Sequence, residues 1–586
     1  FLSKKHTEKK QFETVLKYFK KYKRYLIGGL ISVVLSNCLI LIMPYISKLI
    51  FDALKNNEPS SVILNYVLLS VGAAVLSGLF RFFMRRTIIW MSRYIEYDLR
   101  NEIFGHLIQM SPSFYHQTRT GDLMARMTND LEAVRQMVGP GVMYISDTIL
   151  KLTISFAFMF YLSTSLTLYA IIPLVVLPLA VNKIGNMVHS RSMKVQEKFS
   201  ELTSNAQENL AGIRVVKAYC QEENEVAHFS TLSKMYIKLN MSLAKLQGVF
   251  VPTMRLFASL SYLTVFYFGG LQVIKGNLSL GDIVAFFGYL SMILWPVIAI
   301  GWVTSLYQRG KASLERINKI LHSNSPVADT ETATYEQQML GKIEFRNLSF
   351  AYNGSKVLKN INLTINPGQM VGLVGKTGSG KSTIAALLTK LFKVQTGQLF
   401  IDDVDINNWK LDSLRQQIGF ATQEPFLFSD TVRENIRYGK ADATEIEIQL
   451  ASDIAALKKD IQTFQDGFDT VVGERGITLS GGQKQRTAIA RAIIGKPSIL
   501  ILDDATSAVD TETEHQINEK ITTVLNGRTS LIISHRVSSV KDADIILYLE
   551  DGAVAEQGTH EELIANNGYY AELYKSQLLE EELEQL

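Results

Sequence analysis

Long stretches without a charged residue dominate the first half of the chain and constrain its fold more than any other feature. They are Leu26–Ile46, Ser61–Phe80, Leu152–Asn182, Leu256–Ile274 and Ile283–Gln308. A helix rises about 1.5 Å per residue and needs roughly 20 apolar residues to cross the hydrocarbon layer of a membrane. The third stretch is long enough for two crossings with a tight turn near Ser163–Leu166. The sequence therefore predicts six membrane-spanning helices rather than a large buried helical core.

The distribution of basic residues predicts the orientation of these helices. Lys and Arg are frequent in Lys4–Arg24, Arg81–Asp130 and Lys183–Arg255, whereas the alternate connections are short and carry few charges. The positive-inside rule places the basic segments, and with them both termini, in the cytoplasm. The two long basic loops have helical periodicity, so the helices are expected to continue beyond the membrane.

Composition argues against a nucleic-acid-binding protein and against a protein built on disulfides or cysteine metal sites. The net charge is only +4 and charged residues make up 20 % of the chain, whereas a nucleic-acid-binding domain is expected to be strongly basic. The two cysteines, Cys38 and Cys220, are far apart. We therefore expect no disulfide framework, no paired cysteine metal site and no nucleic-acid partner.

The second half of the chain has a different pattern. Hydrophobicity falls after Gln308, and from Gly341 onward short β-rich runs alternate with helical ones. This alternation is typical of an α/β domain. We predict a transmembrane domain over residues 1–322, a polar linker over 323–340 and an α/β domain over 341–586.

A phosphate-binding loop opens this second domain. Met370–Val374 reads as a buried strand and Thr383–Leu391 as a helix, and Gly375–Ser382 (GKTGSGKS) joins them. In such a P-loop the backbone N–H groups surround the phosphates, Lys381 reaches the β- and γ-phosphates, and Ser382 binds Mg²⁺. The residues predicted to hold ATP here are Gly375, Thr377, Gly378, Ser379, Gly380, Lys381, Ser382 and Thr383.

A second buried strand, Ser498–Leu502, ends in Asp503. A carboxylate at this place matches the Walker B position, which holds Mg²⁺, usually through water. An aspartate that merely caps the next helix is the alternative. The P-loop in the same domain favours the Mg²⁺ site.

Between these motifs lies Leu479–Gln483 (LSGGQ). A P-loop, this signature and Walker B in that order resemble the nucleotide-binding domain of ATP-binding cassette (ABC) proteins. Arg119–Asp130 and Gly212–Glu222 resemble intracellular loops of the exporter branch, so the resemblance covers essentially the whole chain. It implies a multidomain half-exporter of the bacterial cytoplasmic membrane: an all-α six-helix transmembrane domain (type I exporter, type IV ABC fold), then an α/β P-loop ATPase domain.

The resemblance also implies individual roles. Tyr352 resembles the aromatic residue that stacks on adenine, Thr470–Gly476 the X-loop and Ser507–Asp510 the D-loop. The implied catalytic residues are Asp504, Gln423 of the Q-loop and His535, the switch histidine. The implied Mg²⁺ ligands are Ser382, Gln423 and Asp503. Further ATP contacts are implied for Gln423, Leu479, Ser480, Gly481, Gly482, Gln483 and Asp510.

In the family, two cassettes close head to tail over two ATP molecules, so each ATP touches the P-loop of one subunit and the signature of the other. The implied cofactors are ATP and Mg²⁺, and the implied partner is a second half-transporter. Short coupling helices, expected around Ser111–Arg119 and Tyr219–Glu223, transmit closure to the membrane helices.

One residue departs from the family pattern. A glutamate usually follows the Walker B aspartate and polarises the attacking water, but this chain has Asp504, which is one methylene shorter. A misplacement of about 1 Å can cost on the order of a hundredfold in rate. This pattern resembles the degenerate-site subunit of heterodimeric bacterial multidrug exporters, with a homologous partner that carries the glutamate. The alternative is a homodimer in which Asp504 still serves as a weak base.

Other functional classes fit the sequence less well. A soluble cassette ATPase would lack the attached membrane helices, and an importer would usually carry its membrane domain on a separate chain. A channel or receptor gated by ATP has the same motifs and stays open. The expected substrates are hydrophobic or amphipathic small molecules, drugs or lipids. Membrane lipids are the other expected partners of the chain. Aromatic residues in Leu256–Trp302 could line an adaptable cavity or simply pack against helices and lipid.

Overall fold

The computed structural model describes residues 2–329, 333–473, 476, 478–509, 513–514, 516–517, 519–520 and 527–584. The chain separates into two compact units. The first contains the residues up to Ile108 together with Arg119–Ser323. The second contains Gln109–Thr118 together with the chain from Asn324 onward.

The first unit is helical throughout its described length. Its long helices are Leu2–Lys21, Lys23–Leu41, Met43–Lys55, Ser60–Ile108, Val142–Leu162, Thr164–Ala211, Glu222–Thr264 and Leu280–Leu321. Its shorter ones are Thr120–Ala125, Leu131–Gln136, Ile213–Ala218 and Gly270–Ile274, and π-helical turns occupy Arg126–Asp130, Met137–Gly141 and Val265–Gly269. Several helices are far longer than one crossing requires, as the periodicity of the basic loops predicts.

Within the described residues, five helical stretches are long and apolar enough to cross a membrane. They are Lys23–Lys55, Ser60–Ile108, Thr120–Leu162, Glu222–Ile274 and Leu280–Leu321. The sixth predicted crossing begins the helix Thr164–Ala211. That helix is 48 residues long, but its described apolar part, Thr164–Leu177, is shorter than the roughly 20 residues of a full crossing. Five of the six predicted crossings therefore meet the length and composition criteria among the described residues, and the sixth is described only in part.

The predicted turn inside the third apolar stretch is confirmed. Ser163 has an extended backbone (φ −162°, ψ 111°) between the helices that end at Leu162 and begin at Thr164. Its hydroxyl oxygen accepts a hydrogen bond from the N–H of Leu166 over 3.3 Å and so caps the second helix.

Two ion pairs join ionisable side chains within the apolar helices. Lys48 Nζ lies 2.7 Å from Asp282 Oδ1, and Asp282 also forms a capping box with Ser279. Lys151 Nζ lies 2.7 Å from Asp147 Oδ2. Pairing offsets part of the cost of removing these charges from water.

The second unit contains two β-sheets. The strands are β1 (Ile343–Tyr352), β2 (Ser355–Ile365), β3 (Met370–Gly375), β4 (Leu399–Ile401), β5 (Val404–Asp405), β6 (Ile418–Ala421), β7 (Ile499–Asp503), β8 (Thr529–Ile533), β9 (Ile545–Glu550) and β10 (Ala553–Gly558). Four strands form an antiparallel sheet in the order β2-β1-β4-β5. The other six form a sheet in the order β10-β9-β3-β8-β7-β6.

The six-stranded sheet is parallel except for β10. Strands β3, β7 and β8 consist mainly of buried aliphatic residues, as expected for parallel strands covered on both faces. The carboxyl ends of β3, β6, β7 and β8 lie side by side at one edge of the sheet. Ligands bind at this edge in open α/β folds.

Helices complete the second unit. They are Pro112–Gln117, Lys381–Leu388, Leu411–Gln416, Val432–Arg437, Glu445–Ile454, Lys458–Thr463, Gly481–Ile493, His560–Ala565 and Tyr569–Glu584, with 3₁₀ turns at Ile406–Asn408, Gly467–Asp469 and Val537–Ser539. Part of the polar segment predicted as a linker packs against this unit. Its side chains Val327, Ala333 and Met339 are buried.

Candidate functional site

Four neighbouring strands end at one cavity, and many of the predicted site residues line it. The P-loop follows β3, Gln423 follows β6, Asp503 ends β7, and His535 follows β8. The cavity has a volume of about 260 Å³. Its lining consists of Val357, Thr377, Gly378, Gly380, Lys381, Ser382, Thr383, Gln423, Asp503, Asp504, Ile533 and His535. Parallel pairing, rather than sequence proximity, brings these residues together.

Two glycines let the P-loop backbone turn. Gly375 has φ +144°, and a Cβ there would lie 2.2 Å from the carbonyl oxygen of Leu549 on the neighbouring strand. Gly378 has φ +84°, a conformation that strains any other residue type. Gly375 itself does not line the cavity, so its role in the structure is the close approach of two backbones.

Lys381 begins the P-loop helix Lys381–Leu388. Its ammonium group donates hydrogen bonds to the carbonyl oxygens of Gly375 (2.7 Å) and Lys376 (2.8 Å). Burial lowers the pKa of Lys381, and the carboxylates of Asp504 and Asp503 oppose that shift. A phosphate would replace these carbonyl contacts with contacts to a negatively charged acceptor, which are stronger.

The hydroxyl group of Ser379 in the P-loop is buried without a hydrogen-bond partner among the described residues. Ser379 is 5 % exposed, and within the described part of the chain its Oγ has no hydrogen-bond partner. Buried polar atoms in folded proteins are nearly always paired. Ser379 does not itself line the cavity but lies between Gly378 and Gly380, which do, so the loop fits a ligand with acceptor oxygens, such as a nucleotide phosphate.

The oxygen ligands proposed for Mg²⁺ also meet in the cavity. Ser382 Oγ donates to Asp503 Oδ1 over 3.0 Å. Burial raises the pKa of Asp503, while the hydrogen bond from Ser382 opposes the shift. Among the described residues no group of three or more His, Cys, Asp or Glu could hold a metal alone. One carboxylate and one hydroxyl suit Mg²⁺, which takes its other ligands from phosphates and water.

Hydrogen bonds to its N–H and carbonyl groups fix the main chain of Asp504. It has φ +49°, and its N–H donates to the carbonyl oxygen of Ile533 over 2.8 Å. Its carbonyl oxygen accepts from Ser507 Oγ at 3.0 Å and from Gln485 Nε2 at 3.4 Å. Its carboxylate accepts a hydrogen bond from Gln423 Nε2 over 3.3 Å. The side chain therefore reaches into the cavity from a fixed backbone.

The signature residues do not line this cavity. Ser480 caps the helix Gly481–Ile493 and forms a capping box with Gln483. Ser480 and Gly481 are exposed, whereas Leu479 and Gly482 are buried. The signature helix thus presents its first residues to solvent, away from the P-loop of its own chain.

Several implied residues lie elsewhere or outside the description. Tyr352 packs edge-on against Phe392, with ring centroids 5.1 Å apart, and does not line the cavity. Asp510 of the D-loop lies outside the described residues, as do two positions of the X-loop, 474 and 475.

Sequence reasoning missed Gln485, which joins the signature helix to the segment after Walker B. Its side chain donates to Ser507 Oγ over 2.9 Å and accepts from the N–H of Ala508 over 2.8 Å. Gln485 is 4 % exposed. No pattern in the sequence distinguishes it from a surface glutamine; only its burial does.

The two segments expected as coupling helices differ in structure. Pro112–Gln117 is a short helix within the second unit, and the ring of His116 stacks on Phe392 with centroids 6.3 Å apart. Around Tyr219–Glu223 the chain instead turns at Cys220, and the long helix begins at Glu222.

Known proteins resemble this chain over nearly its full length. Residues 26–297 match the family model of the ABC transporter transmembrane region, and residues 358–507 match the family model described as ABC transporter. A probable multidrug resistance ABC transporter ATP-binding/permease protein, YheI of Bacillus subtilis, is 40 % identical, covering 95 % of this chain and 96 % of YheI.

Two further relatives and one solved structure extend the comparison. The multidrug resistance-like ATP-binding protein MdlA of Escherichia coli is 34 % identical over 97 % of this chain and 96 % of MdlA. An ATP-dependent lipid A-core flippase of Syntrophus aciditrophicus is also 34 % identical, over 95 % of this chain and 92 % of the flippase. A bacterial Atm1-family ABC exporter with ATP bound has a TM-score of 0.79 and 28 % identity, covering 95 % of this chain and 98 % of the exporter chain. The chain therefore belongs to the ABC transporter family, as an integral multi-pass membrane protein that fuses a transmembrane region to an ATP-binding domain and is homologous to bacterial multidrug and lipid exporters.

Proposed function

We propose that this chain is one half of a heterodimeric exporter and that the ATP site on its own P-loop hydrolyses slowly. The observation that carries the proposal is Asp504, in the place where the family usually has a glutamate. The remaining residues around the cavity, including Lys381, Ser382, Asp503 and His535, have the types that ATP binding requires. The site would then bind ATP well and hydrolyse it poorly.

The fixed backbone of Asp504 supports a loss of rate. Hydrogen bonds to Ile533 and from Ser507 hold its N–H and carbonyl groups, so the main chain cannot move forward to replace the missing methylene. A carboxylate displaced by about 1 Å can lower a rate on the order of a hundredfold. Gln423 also engages this carboxylate and would hold it back from the attacking water.

The signature residues would act in the partner's site. Ser480 and Gly481 are exposed at the amino end of a 13-residue helix, where unpaired N–H groups and the helix dipole attract a phosphate. Since they do not line their own chain's cavity, a second subunit would have to bring its ATP to them. This chain would thereby complete a fast site while its own site stays slow.

Ser382, Asp503 and Gln423 would hold Mg²⁺ beside the phosphates. The ion would neutralise charge on the β- and γ-phosphates during hydrolysis. The location of Asp503 at the end of β7 and of Ser382 in the first turn of the P-loop helix supports this role. His535 would contact the γ-phosphate from the end of β8.

The proposed substrates are hydrophobic or amphipathic compounds, drugs or lipids. The names of YheI, MdlA and the lipid A-core flippase support this class. Phe286 and Tyr289 are fully buried in the helical core and cannot line a cavity in this conformation, whereas Trp295 is 61 % exposed. Exposed aromatic residues such as Trp295 are the better candidates for substrate or lipid contacts.

Steady-state ATPase activity of Asp504→Asn in the reconstituted full complex tests the slow-site assignment. A heterodimer should retain most of its turnover, because the partner's glutamate catalyses most hydrolysis. A homodimer depends on Asp504 at both sites, so near-complete loss of activity would contradict the proposal. Purification of the native complex should also yield a second, homologous chain.

A transport assay separates a pump from an ATP-gated channel or receptor. Inside-out vesicles should accumulate a hydrophobic dye when ATP and Mg²⁺ are added. Accumulation must depend on hydrolysis, so a non-hydrolysable ATP analogue should not support it. Vesicles that only equilibrate the dye would favour a gated pore.

A further inference from the structure

The imidazole of His535 depends on its backbone for its position. The residue lies two positions beyond the end of β8, borders the nucleotide cavity and is half-buried. The chain then passes through a 3₁₀ turn, Val537–Ser539. Whatever fixes the main chain at His535 therefore also fixes the point and the direction from which its side chain enters the cavity.

The side chain of Gln577 binds this backbone at two points. Its Nε2 donates to the carbonyl oxygen of His535 over 2.6 Å, and its Oε1 accepts from the N–H of Val537 over 2.8 Å. One planar carboxamide thus pairs with an acceptor and a donor on either side of Arg536. The pairing restrains the backbone directly at the histidine.

Gln577 belongs to the C-terminal helix, Tyr569–Glu584, which is firmly anchored. Tyr570 is fully buried, in one cluster with Val537, Val540 and Leu563, and its hydroxyl lies 2.7 Å from Nδ1 of His560. Gln577 is seven residues further on, so it lies on the same helix face. The packing of this helix therefore fixes the position of Gln577.

Glu514 secures the other side of the same loop. It is 3 % exposed and accepts hydrogen bonds from Arg536 over 3.2 Å, from Thr506 over 2.8 Å and from the hydroxyl of Ser539. Thr506 follows Walker B in the chain. The loop is thus fixed between the segment after Walker B and the C-terminal helix, with Gln577 bound at the histidine itself.

We infer that Gln577 is a positioning residue for His535 and that the C-terminal helix thereby sets how well the site distinguishes ATP from ADP. The inference rests on the proposed role of His535, which would contact the γ-phosphate. ADP lacks that phosphate, so misplacing the ring should weaken ATP binding selectively. A purely structural role for Gln577 would instead weaken both nucleotides equally.

Nucleotide affinity at this chain's own P-loop tests the inference. The full complex is labelled with an azido-ATP photoprobe, labelling of this chain is followed, and AMP-PNP or ADP competes in the presence of Mg²⁺. Gln577→Leu, which keeps the size but removes both hydrogen bonds, should weaken AMP-PNP by roughly tenfold and leave ADP unchanged. His535→Ala should show the same selectivity, and the double variant should be no weaker than His535→Ala alone.

Two further variants sharpen the result. Lys575→Ala is the matched control, because Lys575 is exposed on the same helix and contacts Asn567 rather than the loop; both affinities should be unchanged. Gln577→Glu keeps the acceptor for the N–H of Val537 but loses the donor to the carbonyl oxygen of His535. It should also weaken AMP-PNP binding more than ADP binding, and it replaces Gln577→Leu if that variant does not fold.

The outcomes separate this inference from the function on which it rests. Selective loss in His535→Ala, with equal or no loss in the Gln577 variants, would overturn the positioning role and leave the role of His535 intact. Absence of selectivity in His535→Ala would overturn both. Neither measurement depends on turnover, so the slow-site assignment is tested separately by Asp504→Asn.

Discussion

Gln423 and Asp504 are joined by a hydrogen bond of 3.3 Å, although they follow different strands and are 81 positions apart in the chain. The amide of Gln423 donates to the carboxylate that occupies the place of the family's catalytic glutamate. Because the main chain of Asp504 is also held, its carboxylate cannot move further into the cavity without breaking a contact.

Lengthening this carboxylate should restore hydrolysis at the proposed slow site. Asp504→Glu adds the missing methylene, so we expect the rate at this site to rise, up to on the order of a hundredfold. The measurement is phosphate release by a complex whose partner site has been inactivated. Asp504→Asn in the same background is the control and should show no rise. A rate for Asp504→Glu no higher than for Asp504→Asn would show that the defect lies elsewhere.

Blocking the signature should stop hydrolysis at the proposed fast site of the partner. Ser480→Arg places a bulky cation where the partner's γ-phosphate would bind, and turnover should nearly disappear while ATP labelling of this chain's P-loop persists. Ser480 also caps a helix, and cap loss alone costs about 1 kcal/mol. Thr444→Arg removes a matched cap from the helix Glu445–Ile454 and serves as the control. Equal losses of turnover in the two variants would show that the missing helix cap, and not the blocked phosphate contact, causes the effect.

Removing the P-loop ammonium should weaken ATP binding. Hydrogen bonds to charged groups contribute about 1.5–3 kcal/mol, so Lys381→Ala should raise the Kd for ATP at this chain by roughly ten- to a hundredfold. Photolabelling competition provides the Kd. Lys393→Ala, at an exposed lysine beyond the P-loop helix, should bind as the wild type does. Unchanged affinity in Lys381→Ala would refute the phosphate role.

The predicted orientation can be tested by cysteine labelling. In a Cys38→Ser/Cys220→Ser background, cysteines at Asn56 and Asn277 should react with an impermeant thiol reagent outside intact cells, because both lie in short, weakly charged connections. A cysteine at Thr118 should react only after the cells are permeabilised. Labelling of Thr118 alone in intact cells would reverse the topology.

The P-loop and the membrane helices could be predicted from the sequence because their signals are local. Gly375 and Gly378 stand where the backbone needs them, and Ser163 interrupts an apolar stretch where one helix ends. A run of apolar residues or a turn is specified within one short segment.

Contacts across the fold could not be predicted in this way. Gln485, Glu514 and Gln577 are ordinary polar residues in the sequence, and Gln577 meets His535 across 42 positions. Phe286 and Tyr289 look like candidate cavity residues until their burial is known. The sequence by itself determined the two kinds of domain, the phosphate-binding loop and the missing methylene at Asp504. The tertiary structure decided which side chains meet, because such meetings depend on strand order and on the packing of helices that are distant in the chain.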